Sequence, residues 1–184
     1  MAVLVTTLAV VVALLAVIVA GLLRSHAAIL RSLQTAPSGV PSAPSRRAHD
    51  LTGVSPAGDE ISIPVVGAGC STLMVFLTST CTACGDFWNA LASASRRRVP
   101  DGTRLVVVTK GPDAENGPRL VSLEPRGVPV LMSSAAWNDY SVSVGPHFVF
   151  VDGSTSVIVG EGPVSTWGEL VSVVERVSSG RADA

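Results

Sequence analysis

The chain has 184 residues and a mass of 18.8 kDa, room for one ordinary domain with an appendage but not for two full domains. With 13 basic against 14 acidic residues, the net charge is -1 and the pI about 6.3, so no basic field exists to hold a phosphate backbone and nucleic acid is excluded as a partner. Three cysteines close at most one pair, which rules out a disulfide scaffold and makes their spacing the informative feature.

Hydrophobic residues make up 47% of the chain, and 20 of them fall within the first 23 positions. Residues 1–23 carry no charge, and a helix of that length covers about 33 Å, enough for a hydrocarbon core of about 30 Å. The expectation is a transmembrane helix. A signal peptide cut near Ala20-Gly21 is the alternative, but it would want a basic n-region and a shorter apolar stretch. Leu22, Leu23, Ile29, Leu30 and Leu33 keep a helical period past the span, with Arg24 and Arg31 one heptad apart, which reads as a stalk. Thr35 to Arg47 holds three prolines and no apolar period, as an extended linker does. The expected organisation is an anchor over 1–23, stalk and linker over 24–47, a folded domain over 48–178 and a tail over 179–184.

Leu51 to Val66 contains the turn Pro56-Ala57-Gly58-Asp59 and reads as a hairpin whose second arm is Glu60 to Val66. Leu73 to Leu77 is a continuous apolar run, as in a strand buried on both faces. A helix is predicted from Cys81 to Arg98, capped by Ser79 or Thr80, with Phe87, Trp88 and Leu91 facing inward and Arg96, Arg97 and Arg98 as a solvated end. Arg104 to Thr109 and Val128 to Met132 are further strands, with a helix over Asp113 to Leu123 between them. A weak helix over Ser134 to Tyr140 is followed by Pro146 and the strand His147 to Val151. Asp152-Gly153 then turns the chain into a hairpin partner, Ser156 to Gly160, and a helix over Val164 to Val177 closes the domain. Strands alternating with helices describe an α/β fold, a mixed central sheet flanked by helices.

The motif Cys81-Thr82-Ala83-Cys84 sits between a buried strand and a helix N-terminus. Free N–H groups and the positive dipole end there stabilise a thiolate at the first cysteine, and such motifs lower the pKa of the thiol from about 8.5 to about 3.5–7.5. Cys84, one helical turn on, lies deeper and within reach of a mixed disulfide formed at Cys81. A lone C-x-x-C is also half of a zinc site, but the remaining pool is Cys70, His26, His49 and His147, with no second C-x-x-C and no H-x3-H pair. Redox use is therefore the better reading of the motif, and Cys70 reads as a packed small hydrophobe.

The segment T-L-M-V-F-L-T-S-T-C-T-A-C-G-D-F-W and the later V-G-P-H-F-V-F-V-D-G resemble the active-site strand-helix and the cis-proline strand of the thioredoxin superfamily. With the uncharged N-terminal span and the stalk L-L-R-S-H-A-A-I-L-R, the chain is most similar to membrane-anchored thiol-disulfide oxidoreductases of the TlpA type, especially those of the MauD type. The superfamily match covers residues 48–178, and the subgroup match is weaker. The resemblance implies a thioredoxin-like fold in which Cys81 is the nucleophile and Cys84 the resolving thiol. It also implies that Pro146 is a cis-proline facing them, with Gly145, Pro146 and Thr80 receiving a substrate strand. Expected partners are protein thiols or disulfides, a thiol electron donor or acceptor, and a lipid bilayer through residues 1–23, with no cofactor and no metal.

Three departures from thioredoxin bear on the chemistry. Thr82-Ala83 replaces Gly-Pro between the cysteines, so the reduction potential is not read across. Val75 stands where thioredoxin has a buried aspartate, so a proton acceptor for Cys84 must come from elsewhere or be water. Gly145 is smaller than the usual branched residue before the proline, which suggests a more open groove. Reductase, oxidase and isomerase share this chemistry, and the direction stays open. The alternative function is a copper or zinc delivery module using the two thiolates with His147. Arg24 and Arg31 after the span put the domain in the cytoplasm by positive-inside reasoning, whereas the resemblance points to an extracytoplasmic oxidoreductase. The expectation adopted is the extracytoplasmic one.

Overall fold

A computed structural model describes residues 46–93, 95 and 98–182. The expected membrane span over 1–23, the stalk and all but the end of the linker lie outside the described residues, as do Arg96 and Arg97. Among the described residues no helix is long and apolar enough to cross a membrane.

The strands in chain order are β1 (Leu51–Val54), β2 (Glu60–Ile63), β3 (Thr72–Phe76), β4 (Arg104–Thr109), β5 (Val130–Met132), β6 (His147–Val151) and β7 (Ile158–Pro163). The helices are α1 (Gly85–Ala92), preceded by a 3-10 turn over Thr82–Cys84, then α2 (Gly117–Leu123), α3 (Ser134–Asp139) and α4 (Trp167–Ala182). The seven strands form one sheet in the order β2-β1-β5-β4-β3-β6-β7. β3, β4 and β5 run parallel, while the pairings of β1 with β2 and β5, and of β6 with β3 and β7, are antiparallel. A mixed α/β sheet is thus present, as the order of the sequence elements requires.

All five residues of β3 are buried because helices cover both sides of the sheet. Alternation sends Leu73, Val75 and Leu77 into one core with Cys84, Phe87 and Leu91, Leu120 of α2, and Leu170, Val171 and Val174 of α4. Met74 and Phe76 enter the opposite core with Ala136 and Trp137 of α3, Tyr140 and Leu51. Full burial of side chains of this size stabilises a fold by about 1.5–3 kcal/mol each, so the two cores fix the strand register that places the site.

Several boundaries differ from the sequence expectation, each through local hydrogen bonding. The helix expected over Cys81 to Arg98 ends at Ala92: Ser93 turns extended, and its hydroxyl donates to the Ala90 carbonyl at 3.0 Å and accepts from the Ser95 N–H at 3.2 Å. Arg98 is exposed, as a solvated charge should be. The helix expected from Asp113 begins at Gly117, where the Asn116 side chain accepts the Arg119 N–H at 3.0 Å and a proline occupies the first turn. The strand expected from Val128 starts after Pro129, which has no N–H to give a ladder. The last hairpin pairs through Ile158–Pro163 rather than from Ser156, because Asp152 Oδ1 accepts the N–H groups of Ser154 and Thr155 and both hydroxyls, widening the turn.

The final helix begins at Trp167, where Thr166 Oγ1 accepts the Glu169 N–H and the Glu169 carboxylate accepts the Ser165 N–H. It extends to Ala182, past the expected Val177. Arg46 and Arg47, expected in the linker, join the sheet side: Arg47 bridges Val157, and the Arg46 carbonyl accepts the Ile158 N–H at 2.9 Å.

Candidate active site

The buried strand β3 delivers the chain to the C-terminal edge of the parallel strands, the usual position for a site in an open α/β sheet. Leu77 still donates to the Val108 carbonyl at 3.0 Å, and the chain then leaves the sheet at Thr78 and Ser79. Trp88, buried on α1, reaches back with its indole N–H to the Thr78 carbonyl at 3.4 Å, tying the helix to the strand end. Ser79 is not the helix cap expected from the sequence. Its N–H and hydroxyl both donate to Glu115 Oε2, at 3.0 and 2.6 Å, and its carbonyl accepts Arg119 Nε at 2.7 Å. Cys81 caps the 3-10 turn and Cys84 caps α1, and neither makes a side-chain cap bond.

Cys81 is partly exposed and Cys84 fully buried, and both are free thiols. The intervening Thr82 and Ala83 are exposed, and the Cys84 N–H donates to the Cys81 carbonyl at 3.1 Å, closing the 3-10 turn. Burial, together with the hydrogen bond to Cys81 and the negative charge at Cys81 and Glu115, pushes the Cys84 thiol up to about 12 against an opposing backbone hydrogen bond from Thr78. The pair is therefore asymmetric, with one thiol at the surface and one held protonated beneath it.

The Gly145-Pro146 peptide is cis, and Cys81 Sγ lies 3.7 Å from the Gly145 carbonyl oxygen. The structure thus brings together Cys81, Cys84, Gly145 and Pro146 as the sequence reading expected; Pro146 is buried, while Thr80 beside Cys81 is exposed. The expectation that Gly145 opens the groove is corrected. A Cβ there would stand 2.8 Å from the Phe76 carbonyl oxygen, 3.5 Å from Trp137 Cη2 and 3.6 Å from Leu77 Cα. Glycine is required because the chain packs against the end of β3 and the Trp137 ring, and the space a branched side chain would take is already filled.

His147 does not join the thiols. It pairs in register with Phe76 and packs edge-on against that ring at 6.4 Å, on the face of Trp137 and Tyr140, while Cys84 belongs to the opposite core. Burial, with the nearby Arg46 charge, holds its imidazole below the usual range. The ligand set of the metal-delivery alternative is therefore split across the sheet, and among the described residues no group of three or more His, Cys, Asp or Glu is arranged to hold an ion. Cys70 is partly exposed in the loop before β3, not packed in a core as expected.

Glu115 and Trp137 escaped the sequence reading. Glu115 lies in G-P-D-A-E-N-G-P, which has no apolar period, and only the fold carries it to Ser79. Trp137 was part of a weak helix, and its role against Gly145 depends on the register of β3 with β6.

No family model matches the chain and no curated protein does. Solved structures do match. A thiol:disulfide interchange protein of the thioredoxin family from Chlorobium tepidum TLS aligns with a TM-score of 0.54 and 19% identity over 74% of this chain and 98% of its own. A secreted Mycobacterium tuberculosis disulfide oxidoreductase homologous to E. coli DsbE gives 0.53 and 17%, over 70% and 95%. A hypothetical protein from Sinorhizobium meliloti 1021 gives 0.57 and 19%, over 74% and 84%. Likeness at these identities establishes the architecture: the described domain has a thioredoxin-like fold.

Proposed function

We propose that this chain is a thiol-disulfide oxidoreductase that exchanges disulfides with protein thiols through Cys81 and Cys84. The observation that carries the reading is the stacked pair of thiols, Cys81 partly exposed against the Gly145 carbonyl of a cis-prolyl peptide and Cys84 fully buried behind it. The disulfide oxidoreductase and the thiol:disulfide interchange protein among the fold neighbours support the same chemistry. In the reductive direction the Cys81 thiolate attacks a substrate disulfide, one substrate sulfur leaves as a thiolate, and Cys84 then attacks the Cys81 sulfur to release the second. A substrate strand lies along Gly145 and Pro146, with Thr80 at its side, so that backbone contacts precede side-chain selection. Oxidation is the same sequence reversed, and about 30 mV of potential against the compartment, or 1.4 kcal/mol, shifts the equilibrium tenfold.

The reading extends to a TlpA- or MauD-like protein held in a bilayer by residues 1–23, with the domain outside the cytoplasm, supported by the uncharged span and the motif-level resemblance. Titration of the purified full chain in dithiothreitol buffers, with alkylation and mass spectrometry, tests the chemistry. Cys81 and Cys84 should interconvert together as one two-electron couple while Cys70 stays alkylatable throughout; independent oxidation of the two would refute it. A reporter active on only one side of a membrane, fused to Ala184, tests the orientation, and activity confined to the cytoplasm contradicts it.

A further inference from the structure

On the proposed exchange reaction Cys81 must hold its sulfur in line with an incoming disulfide, yet the loop that carries it has little support from regular structure. The Leu77 N–H makes the last bond to the neighbouring strand, at the Val108 carbonyl, and the 3-10 turn begins only where the Cys84 N–H donates to the Cys81 carbonyl. Thr78, Ser79 and Thr80 lie between, in neither strand nor helix. Buried backbone groups need partners, so what this stretch bonds to decides where Cys81 stands.

Ser79 is the tied point. It is buried, and two side chains take up its N–H, its hydroxyl and its carbonyl. Glu115 Oε2 accepts the N–H at 3.0 Å and the hydroxyl at 2.6 Å, and Arg119 Nε donates to the carbonyl at 2.7 Å. Both side chains are committed to this one residue. Neither forms an ion pair among the described residues, and Glu115 Oε1 is buried there without a hydrogen-bond partner. A buried carboxylate oxygen without a donor costs stability, so the carboxylate serves Ser79 at the expense of the fold. The mounting is firm: the Asn116 side chain caps the Arg119 N–H at 3.0 Å, and Leu120 is fully buried in the core that holds Cys84 and Phe87. From Ser79 only Thr80 intervenes before the reacting thiol.

We propose that Glu115 and Arg119 are positioning residues for exchange, acting through Ser79 to hold Cys81 Sγ against the Gly145 carbonyl. Neither side chain touches the substrate. Glu115 acts as a hydrogen-bond acceptor, so its oxygen matters and its charge does not. The effect falls on alignment, where a displacement of about 1 Å costs about 100-fold in rate.

The test compares two reactions of Cys81 in the reduced full chain: with iodoacetamide, which needs no groove, and with a disulfide-bonded peptide, which must lie along Gly145 and Pro146. Timed acid quench and mass spectrometry give the rate at which Cys81 is consumed in each, and report Cys84 alkylation alongside. Glu115→Ala should slow the peptide reaction about 10- to 100-fold while alkylation stays within about threefold. Arg119→Ala, a change at an exposed side chain, should show the same split at about 3- to 10-fold. Glu115→Gln keeps an oxygen for Ser79 without the charge, and should recover the peptide reaction to within about fivefold of the parent. Parent rates in both alanine variants would overturn the assignment while leaving the exchange reaction intact. Glu115→Gln as slow as Glu115→Ala would overturn it by assigning the effect to charge. Equal slowing of alkylation would overturn it by placing the effect in the thiol itself, and rapid native alkylation of Cys84 by placing it in a loosened core. A parent protein whose Cys81 is not consumed by the peptide removes the exchange reaction and this proposal together.

Discussion

Cys81 Sγ lies 3.7 Å from the carbonyl oxygen of Gly145, a residue 64 positions further along the chain. Neither residue makes this contact by local preference. β3 and β6 pair antiparallel, with Val75 opposite Phe148 and Phe76 opposite His147, so the end of one strand and the start of the other meet at the same edge of the sheet. The first cysteine of the C-x-x-C turn is thereby placed beside the partly exposed Gly145 at the start of β6.

The asymmetry of the two thiols predicts selective chemistry. In the reduced, native full chain, iodoacetamide should modify Cys81 well before Cys84, since Cys84 is fully buried and its thiol is pushed up to about 12. The selectivity should persist to pH 9 and vanish in denaturant. Peptide mapping after timed alkylation reads this, and equal native rates at the two sites would contradict the geometry.

Crowding at Gly145 predicts that Gly145→Ala is disruptive although it adds one methyl. The new Cβ would stand 2.8 Å from the Phe76 carbonyl oxygen, so β6 or the end of β3 must shift. A loss of about 1–3 kcal/mol in urea denaturation is expected, as for other overpacked sites. Exchange with a disulfide peptide should slow by about tenfold or more, because the carbonyl facing Cys81 moves. Unchanged stability and rate would mean that the strand accommodates the methyl without displacement.

His147 sets a pH dependence of stability. Its folded value is lowered, first by burial and then by the Arg46 charge, relative to an unfolded value of about 6.5. The unfolded chain therefore binds the proton more readily, so this contribution is present above pH 6.5 and is lost as pH falls below it. The urea midpoint should drop between pH 7.5 and 5.5, and His147→Gln should flatten that drop. A drop of the same size in the variant would assign it to other groups.

What was legible in the sequence followed burial. β3, β4 and β6 are continuous apolar runs because helices cover both sheet faces, and their ends fell within a residue of expectation. The cysteine pair and Pro146 were legible as motif residues at the ends of such strands. Boundaries set by single side-chain bonds were not: Ser93 stops α1, Asn116 starts α2, and Asp152 delays β7. Glu115 was invisible for a different reason, since its partner Ser79 is 36 residues away and neither position carries a periodic signal. The groove inferred from the size of Gly145 failed because sequence gives the residue that is missing a side chain, not the Phe76 carbonyl that stands where its Cβ would go, with the Trp137 ring packed behind.

The central claim, that Cys81 attacks and Cys84 resolves, is tested most directly by trapping. Membranes from cells producing the full-length Cys84→Ser or Cys81→Ser variant are quenched in acid, alkylated and separated without reductant. A mixed disulfide ordinarily lasts only until the second thiol attacks, so Cys84→Ser should accumulate dithiothreitol-sensitive adducts at Cys81 with the proteins it meets. Cys81→Ser should accumulate few, because the remaining thiol of the pair is buried. Equal trapping by both variants, or no adduct from Cys84→Ser, would contradict the assignment of separate roles to the two cysteines.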